Sequence, residues 1–451
     1  MNIIIVGCGK VGTTLAKELN NGDNNVTVVD QDAVKVKAIA NKLDIMGVIG
    51  NGASRLTQKE AGIDNTDLLI AVTGNDELNL LCCLVAKKSA GCRTIARLKN
   101  PEYHTDSHYF KNELGLAMVI NPELAAAREI ARILNFPSAI KIDLFAKSRV
   151  ELLSFKIPEG SKLAGMSVKD VSMKFKCAIT FCTAERGDES FITNGNFVFE
   201  EKDVISVIAS PGAVNDFFNK INYKHQPIKD AIIVGGGPIT YYLIELLEKS
   251  GISCTVIEKD AARCEDLAGE FEKATIVHAD PSDEDVLREQ GIGNAGAFIA
   301  LTGFDEENIL LSLFAKQSGS RKVVTKINRI DFDSVTSHLD LDSTVYPKNI
   351  TANIIVSYVR AMNNAGSSNI ETLYNLNKGN VEAAEFTVLE GSPIVGKPLM
   401  EMSFKPGVLI AAIQRGRNII SPRGQDVIQP GDSVIIVTKD ISLNDITDIL
   451  K

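Results

Sequence analysis

Short apolar runs alternate along this chain with longer stretches in which apolar residues recur every three or four positions. IIIVG, VTVVD, IMGVIGN, LLIAVT and TIARL have the length and β-branched content of buried strands. Between them, KVGTTLAKELN, QDAVKVKAIANKL, SRLTQKEAG and DELNLLCCLVAKKSA have helical period. Strands and helices in strict alternation predict a parallel sheet covered on both faces. VINPELAAAREIARIL then supplies a longer amphipathic helix, with its proline tolerated near the start. After it the pattern changes. SFKIPEGSKLAGMSVKDV reads as strand, loop and short helix, and AITFCTAERGDESFITNGNFVFEEKDVISVIAS as paired strands with a glycine turn at Gly187.

The whole pattern then recurs. Gly7-Cys8-Gly9 returns as Gly235-Gly236-Gly237 and Asp30 as Glu258, each 228 positions on. Thr73-Gly74 returns as Thr302-Gly303 and Arg97 as Lys326, each 229 positions on. VELLSFKIPEGSKLAG (150–165) returns as VEAAEFTVLEGSPIVG (381–396). The class is therefore α/β, as a tandem duplication. Each half is a Rossmann-like, doubly wound parallel-sheet lobe followed by a small β-rich α+β lobe. The expected segments are a front lobe over 1–121, a linking helix over 122–140 and a back lobe over 141–224. They repeat as 228–346, 347–375 and 376–451. The linking helices carry broad apolar faces (Leu124, Ile130, Ile133; Ile350, Ile354, Val359) expected to serve assembly.

The first glycine turn carries the chemistry. Gly7-Cys8-Gly9-Lys10-Val11-Gly12 follows a strand at once and opens a helix, the context that gives G-x-G-x-x-G its meaning. Gly7 allows the tight turn, Gly9 lets a pyrophosphate approach the backbone, and Gly12 lets helix and strand pack closely. Asp30, followed by Gln31, ends the second strand, where a carboxylate accepts from both ribose hydroxyls and repels a 2′-phosphate. Asn51 and Gly52 close the third strand and Thr73-Gly74 the fourth, on the same edge. Arg97 either reaches the phosphate crevice or is a surface charge; spacing alone leaves both open.

The second turn is altered. Gly235, Gly236 and Gly237 are followed by Pro238 and Ile239, and Thr240 stands where the third glycine would. Proline in a first helical turn costs little, but Thr240 is expected to push helix and strand apart. Glu258 and Lys326 keep the acid and the cation, while Asp280-Pro281 replaces Gly52-Ala53. This turn is either a second nucleotide site or a vestigial packing turn.

Composition narrows the function. Net charge is −9, so no basic excess exists for nucleic acid. There is no apolar run of membrane-spanning length and no signal-peptide pattern, and a soluble cytoplasmic chain is expected. The eight cysteines form no C-x-x-C pair and read as reduced core residues. His104 and His108, four apart in YHTDSHYF, read as a solvated or interface helix before a metal site. No Tyr-x-x-x-Lys, catalytic triad or nucleophile elbow accompanies either turn, and the back lobes carry no histidine apart from His225 in the following linker. A nucleotide sensor is favoured over the alternative, a soluble NAD-dependent oxidoreductase.

MNIIIVGCGKVG, Asp30, AVTGNDELN, TIARLKNPEY, VINPELAAAREI, GSPIVGKPLMEMSFKPGVLIAAIQRG and IQPGDSVIIV together resemble the TrkA family, the regulatory subunits of Trk potassium-uptake systems. That family is built from tandem RCK modules, each an N-terminal Rossmann lobe with a C-terminal lobe, and the resemblance covers essentially the whole chain. It implies a non-enzymatic subunit that binds NAD(H), with ATP or ADP also possible, and self-associates into a ring as a dimer or tetramer. It also implies docking on the inner face of the cell membrane, through a Trk-type potassium-translocating subunit that it gates. The ligand contacts it implies are Gly7, Cys8, Gly9, Lys10, Val11, Asp30, Thr73, Gly74 and Arg97 in the first half. In the second they are Gly235, Gly236, Gly237, Pro238, Ile239, Glu258, Thr302, Gly303 and Lys326.

Overall fold

A computed structural model describes the chain except residues 21–23, 106, 136–138, 146–148, 188, 222–227, 329–338, 340, 365–369, 377–380, 442 and 444. His225 lies outside the described residues, as do the side chains of His104 and His108.

The first front lobe contains β1 (Asn2–Val6), β2 (Asn25–Asp30), β3 (Met46–Ile49), β4 (Leu68–Ala71), β5 (Arg93–Arg97) and β6 (Met118–Ile120). They form one parallel sheet in the order β3-β2-β1-β4-β5-β6, the doubly wound dinucleotide order. Ile3, Ile4, Ile5, Leu68, Leu69 and Ile70 are all buried, because both faces of the central strands are covered. The sequence pattern accounts for five of these strands; β6 is too short to show a period.

The first back lobe follows, with β7 (Ala139–Phe145), β8 (Val150–Lys156), β9 (Ile179–Arg186), β10 (Glu189–Ile192) and β11 (Val204–Ala209). Its sheet is antiparallel, in the order β10-β9-β11-β8-β7. The helix Val168–Phe175 is capped by Ser167, which accepts from Asp170 N.

The second half repeats the plan. Strands β12 (Asp230–Val234), β13 (Ser253–Glu258), β14 (Thr275–His278), β15 (Ala297–Ala300), β16 (Val323–Lys326) and β17 (Ser343–Val345) give the parallel order β14-β13-β12-β15-β16-β17. Strands β18 (Ile370–Leu376), β19 (Val381–Thr387), β20 (Val408–Arg415), β21 (Asn418–Ile420) and β22 (Ser433–Lys439) give the antiparallel order β18-β19-β22-β20-β21. The short helix expected before Phe404 is only a 3-10 turn, Leu399–Glu401. Here Pro398 occupies the cap position and no side chain makes the hydrogen bond that Ser167 makes.

By packing, the chain divides into two units. Met1–Ala131 groups with Lys229–Val356, so the two front lobes form one; Arg132–Ile228 groups with Ser357–Lys451, so the back lobes form the other. Within the second unit, Phe145, Val150, Leu152, Cys182 and Ile208 of the first back lobe share a core with Val381, Ala383, Ala411, Ile435 and Val437 of the second. An ion pair between a buried aspartate and a partly exposed arginine also repeats there. Arg186 Nε and Nη2 each donate to Asp203 at 2.8 Å, and Arg415 Nε and Nη2 donate to Asp432 at 2.9 and 2.8 Å. The Arg186-Gly187 turn is thus a structural tie.

The linking helices are Pro122–Asn135 and Pro347–Asn364. Leu124, Ile130, Ile133 and Val359 are buried within the chain itself, so this apolar face is already spent on the fold; Ile354 stays 40% exposed.

Candidate nucleotide sites

The first site is built on the turn between β1 and the helix Lys10–Asn20. Gly7 has φ +110°, a conformation that disfavours any side chain. A Cβ at Gly9 would meet open space, whereas one at Gly12 would stand 1.8 Å from the Gly7 carbonyl oxygen. Gly9 therefore leaves room above the turn, and Gly12 is where helix and strand touch.

Asp30, at the end of β2, is tied to this turn. Its Oδ2 accepts from Cys8 N at 2.6 Å and its Oδ1 from Asp32 N at 3.0 Å. Burial, with Asp30 beside it, pushes the Cys8 thiol up to about 12, so Cys8 is a packing residue and not a nucleophile.

Asn79 is fully buried and latches the far side. Its Oδ1 accepts from Thr73 N at 2.8 Å and Thr73 Oγ1 at 2.7 Å, while its Nδ2 donates to Arg97 O at 2.9 Å. The Arg97 side chain is only 18% exposed, and its Nη2 lies 2.6 Å from Glu123 Oε1. Arg97 is therefore a cleft residue and not a surface charge. Its Nε and Glu123 Oε2 are buried without a hydrogen-bond partner among the described residues, a donor and an acceptor left over beside a cavity.

That cavity measures about 520 Å³. Gly7, Gly9, Lys10, Val11, Asp30, Gln31, Gly52, Thr73, Gly74 and Arg97 line it; Cys8, Gly12 and Asn51 do not. Asn51 Oδ1 instead accepts from Ala53 N at 3.0 Å. Lys35 and Glu123 also line it, with Asn328 from the second front lobe and Pro347 and Lys348 from the start of the second linking helix; no sequence motif marks any of these for the site. Glu123 sits in a segment already singled out (VINPELAAAREI), one residue past a helix-starting proline; the contribution of the other lobe has no local signal.

The second site repeats the framework and changes the contents. Gly235 has φ +98°, and Glu258 Oε2 accepts from Gly236 N at 2.6 Å. Thr240 is fully buried and its hydroxyl donates to the Gly235 carbonyl, so the threonine finds a partner in the strand-end backbone. Asn308 repeats the latch, accepting from Thr302 N at 2.8 Å and donating to Lys326 O at 3.1 Å. Lys326 Nζ points back to Leu301 O at 2.9 Å, and burial pulls its pKa down to about 8.

Two cavities stand here. One of about 660 Å³ is lined by Gly236, Gly237, Pro238, Tyr241, Glu258, Asp260 and Arg263, with Lys99, Asn100 and Pro101 of the first lobe. A smaller one, about 90 Å³, is lined by Gly235, Glu258, Pro281, Thr302, Gly303 and Phe304 among others. Ile239, Asp280 and Lys326 line neither. Asp280 instead caps its own loop, accepting from Ser282 N and Oγ.

Among the described residues no cluster of three or more histidine, cysteine or acidic side chains could hold a metal, and no helix is long and apolar enough to cross a membrane.

A doubly wound sheet with a glycine turn and a strand-end acid, present twice and followed each time by a small antiparallel lobe, defines a tandem RCK-type protein. The TrkA-N domain family matches residues 3–122 and 231–347, and the TrkA-C domain family matches 152–222 and 383–451. A Trk system potassium uptake protein TrkA homolog from Methanosarcina mazei is 33% identical over 444 residues, 97% of both chains. The Trk system potassium uptake protein TrkA of Haemophilus influenzae is 30% identical over 451 residues, 98% of this chain and 96% of its own. Among solved structures, the GsuK channel aligns over 97% of this chain and 76% of its own, with TM-score 0.67 at 17% identity, a likeness of fold. The chain belongs to the TrkA family of Trk-system potassium uptake proteins. This places it with regulatory subunits, not with oxidoreductases.

Proposed function

We propose that the chain is the nucleotide-sensing subunit of a Trk-type potassium transporter, binding NAD(H) and adenine nucleotides at its front lobes. Gly9, Lys10 and Val11 present backbone amides to the diphosphate over the turn made by Gly7 and Cys8, whose own amides bond Val29 O and Asp30 Oδ2, and Asp30 accepts from the ribose. Thr73 and Gly74 border the base, and Arg97 faces phosphate. In the second site Gly237 and Ile239 offer the amides, since Pro238 has none and those of Gly235 and Gly236 bond Ile257 O and Glu258 Oε2; Glu258 takes the ribose, and Thr302 and Gly303 border the base. The subunit assembles into a ring at the cytoplasmic face of a potassium-translocating membrane protein, and nucleotide binding shifts the ring between two states. Such a shift needs differential affinity; about 5.5 kcal/mol takes a 1:99 population to 99:1.

The observation carrying this reading is the first cavity, about 520 Å³ and inside the range of small-molecule sites, with unpaired Arg97 and Glu123 atoms beside its glycine turn. A solved GsuK channel bound to NAD has the same fold, with TM-score 0.65 at 16% identity. Calorimetric titration of the full chain with NADH, ATP and ADP tests the reading. Saturable binding that Asp30→Ala weakens at least tenfold is expected; no heat with any of the three would refute it.

A further inference from the structure

The two cavities are joined by one short segment and one tyrosine. Arg97 ends β5 and lines the first cavity; Lys99, Asn100 and Pro101, directly after it, line the second. Leu98 between them is fully buried, its N–H donating to Ile120 O at 2.9 Å. Leu98 therefore extends the sheet by one residue, and the N–H groups of Lys99 and Asn100 after it are both held by Asp76 Oδ2, at 2.9 and 2.8 Å.

Tyr242 holds this segment from the second lobe. It lies in the helix Pro238–Lys249, which opens on the second glycine turn, and it is 2% exposed. Its hydroxyl donates to Lys99 O at 3.0 Å and accepts from Asn121 Nδ2 at 2.8 Å. Asn121 Oδ1 in turn accepts from Leu124 N at 2.9 Å, capping the helix whose first turn carries Glu123, the partner of Arg97. Lys99 Nζ reaches Gly74 O at 2.9 Å on the rim of the first cavity. One hydroxyl thus joins the helix that starts at the second site to both walls of the first.

The contact is one-sided. Thr14, 228 positions before Tyr242, spends its hydroxyl on Lys10 O within its own helix. Among the described residues, the hydroxyl at Thr14 therefore makes no counterpart of this inter-lobe tie.

We infer that Tyr242 is a positioning residue that couples the two nucleotide sites, so that ligand in either changes the affinity of the other. The inference rests on the reading that both front-lobe cavities take nucleotides. Because coupling is a free energy shared by the two sites, it is reciprocal although the tie is one-sided.

The test is a binding cycle on the full chain, with ADP as probe in a calorimeter. Glu258→Ala isolates the first site and Asp30→Ala the second; the two-site protein is compared with both. Stepwise affinities that differ from the isolated-site values by about fivefold or more are expected, a ratio within the usual coupling range. Tyr242→Phe, which keeps the ring and removes only the hydroxyl, is expected to bring that ratio to about one. Should Tyr242→Phe fail to fold, Asn121→Ser serves the same cycle, since serine still caps the helix but offers no amide donor. A ratio that survives loss of the hydroxyl overturns the inference, as does a wild-type ratio of one. A single binding event in the wild type overturns it too, while leaving the first-site reading standing. No binding at all overturns both.

Discussion

Arg97 and Glu123 approach to 2.6 Å beside the first cavity, yet Arg97 Nε and Glu123 Oε2 are left without partners among the described residues. The pair is incompletely satisfied, and an anionic ligand in the cavity would compete with Glu123 for the guanidinium. A hydrogen bond to a charged group contributes about 1.5–3 kcal/mol, so Arg97→Met should weaken ADP binding tenfold or more. Glu123→Gln keeps the size and removes the competing charge, and should tighten ADP binding. Equal affinities across wild type and both variants, measured by calorimetry, would show that neither group meets the ligand.

Gly12→Ala brings a methyl group into the Gly7 carbonyl, 1.8 Å away without adjustment. Overpacking of this kind costs about 1–3 kcal/mol, and the moved turn is the one that faces the ligand. A lower melting temperature together with weaker NADH binding is expected. Thr240→Gly in the second turn removes a buried hydroxyl and its bond to Gly235 O, and should also destabilise, by about 1 kcal/mol. If Gly12→Ala melts and binds like the wild type, the packing role assigned to Gly12 is wrong.

Lys326 gives a pH signature. Burial lowers its pKa from 10.5 to about 8, so the folded chain releases this proton before the unfolded chain does. Between pH 8 and 10.5 the unfolded state binds more protons, and the contribution of Lys326 to stability rises with pH across that window; below it the full cost of burying the cation applies. Lys326→Met should therefore raise the melting temperature at pH 7, by a margin that shrinks toward pH 10. A margin independent of pH would contradict the assignment.

Asn79 and Asn308 should behave as a matched pair in stability and act on different sites in binding. Each is fully buried and ties a strand-end loop to the next strand. Alanine at either strands several backbone groups, at about 1–3 kcal/mol for each buried group left unpaired. Both substitutions should lower the melting temperature, while only Asn79→Ala loosens Thr73 and Arg97 and so weakens binding at the first cavity. Thermal melts and site-resolved titrations check the two halves of this statement separately.

What the sequence discloses is what is written locally. The glycine turns and the acids Asp30 and Glu258 are legible because strand, turn and helix start lie within about thirty residues of one another. That the sheet is parallel and covered on both faces follows from strand–helix alternation; the strand order does not. β6 and β17 are too short to carry a period and emerge only when a neighbouring edge pairs with them. The apolar stripe through Leu124, Ile130 and Ile133 announces burial but not against what; it is buried within the chain and leaves little for assembly. Least visible are the contributions that cross between lobes, such as Asn328 and Lys348 at the first cavity and Lys99 at the second. Nothing in spacing or composition marks them, since packing between distant segments brings them there.

The core shared by the two back lobes has a consequence for the origin of the chain. Phe145, Leu152 and Ile208 on one side and Val381, Ala411 and Val437 on the other are buried in one cluster to which both repeats contribute. A half-length chain would present that face bare and would need a second copy to cover it. Joining the repeats in one polypeptide replaces an association that depends on dilution with one set by an effective concentration, which is constant at any abundance of the protein. It also leaves the two halves able to differ, as Thr240 and Tyr242 do from Gly12 and Thr14, within what is, in effect, a permanently tethered dimer.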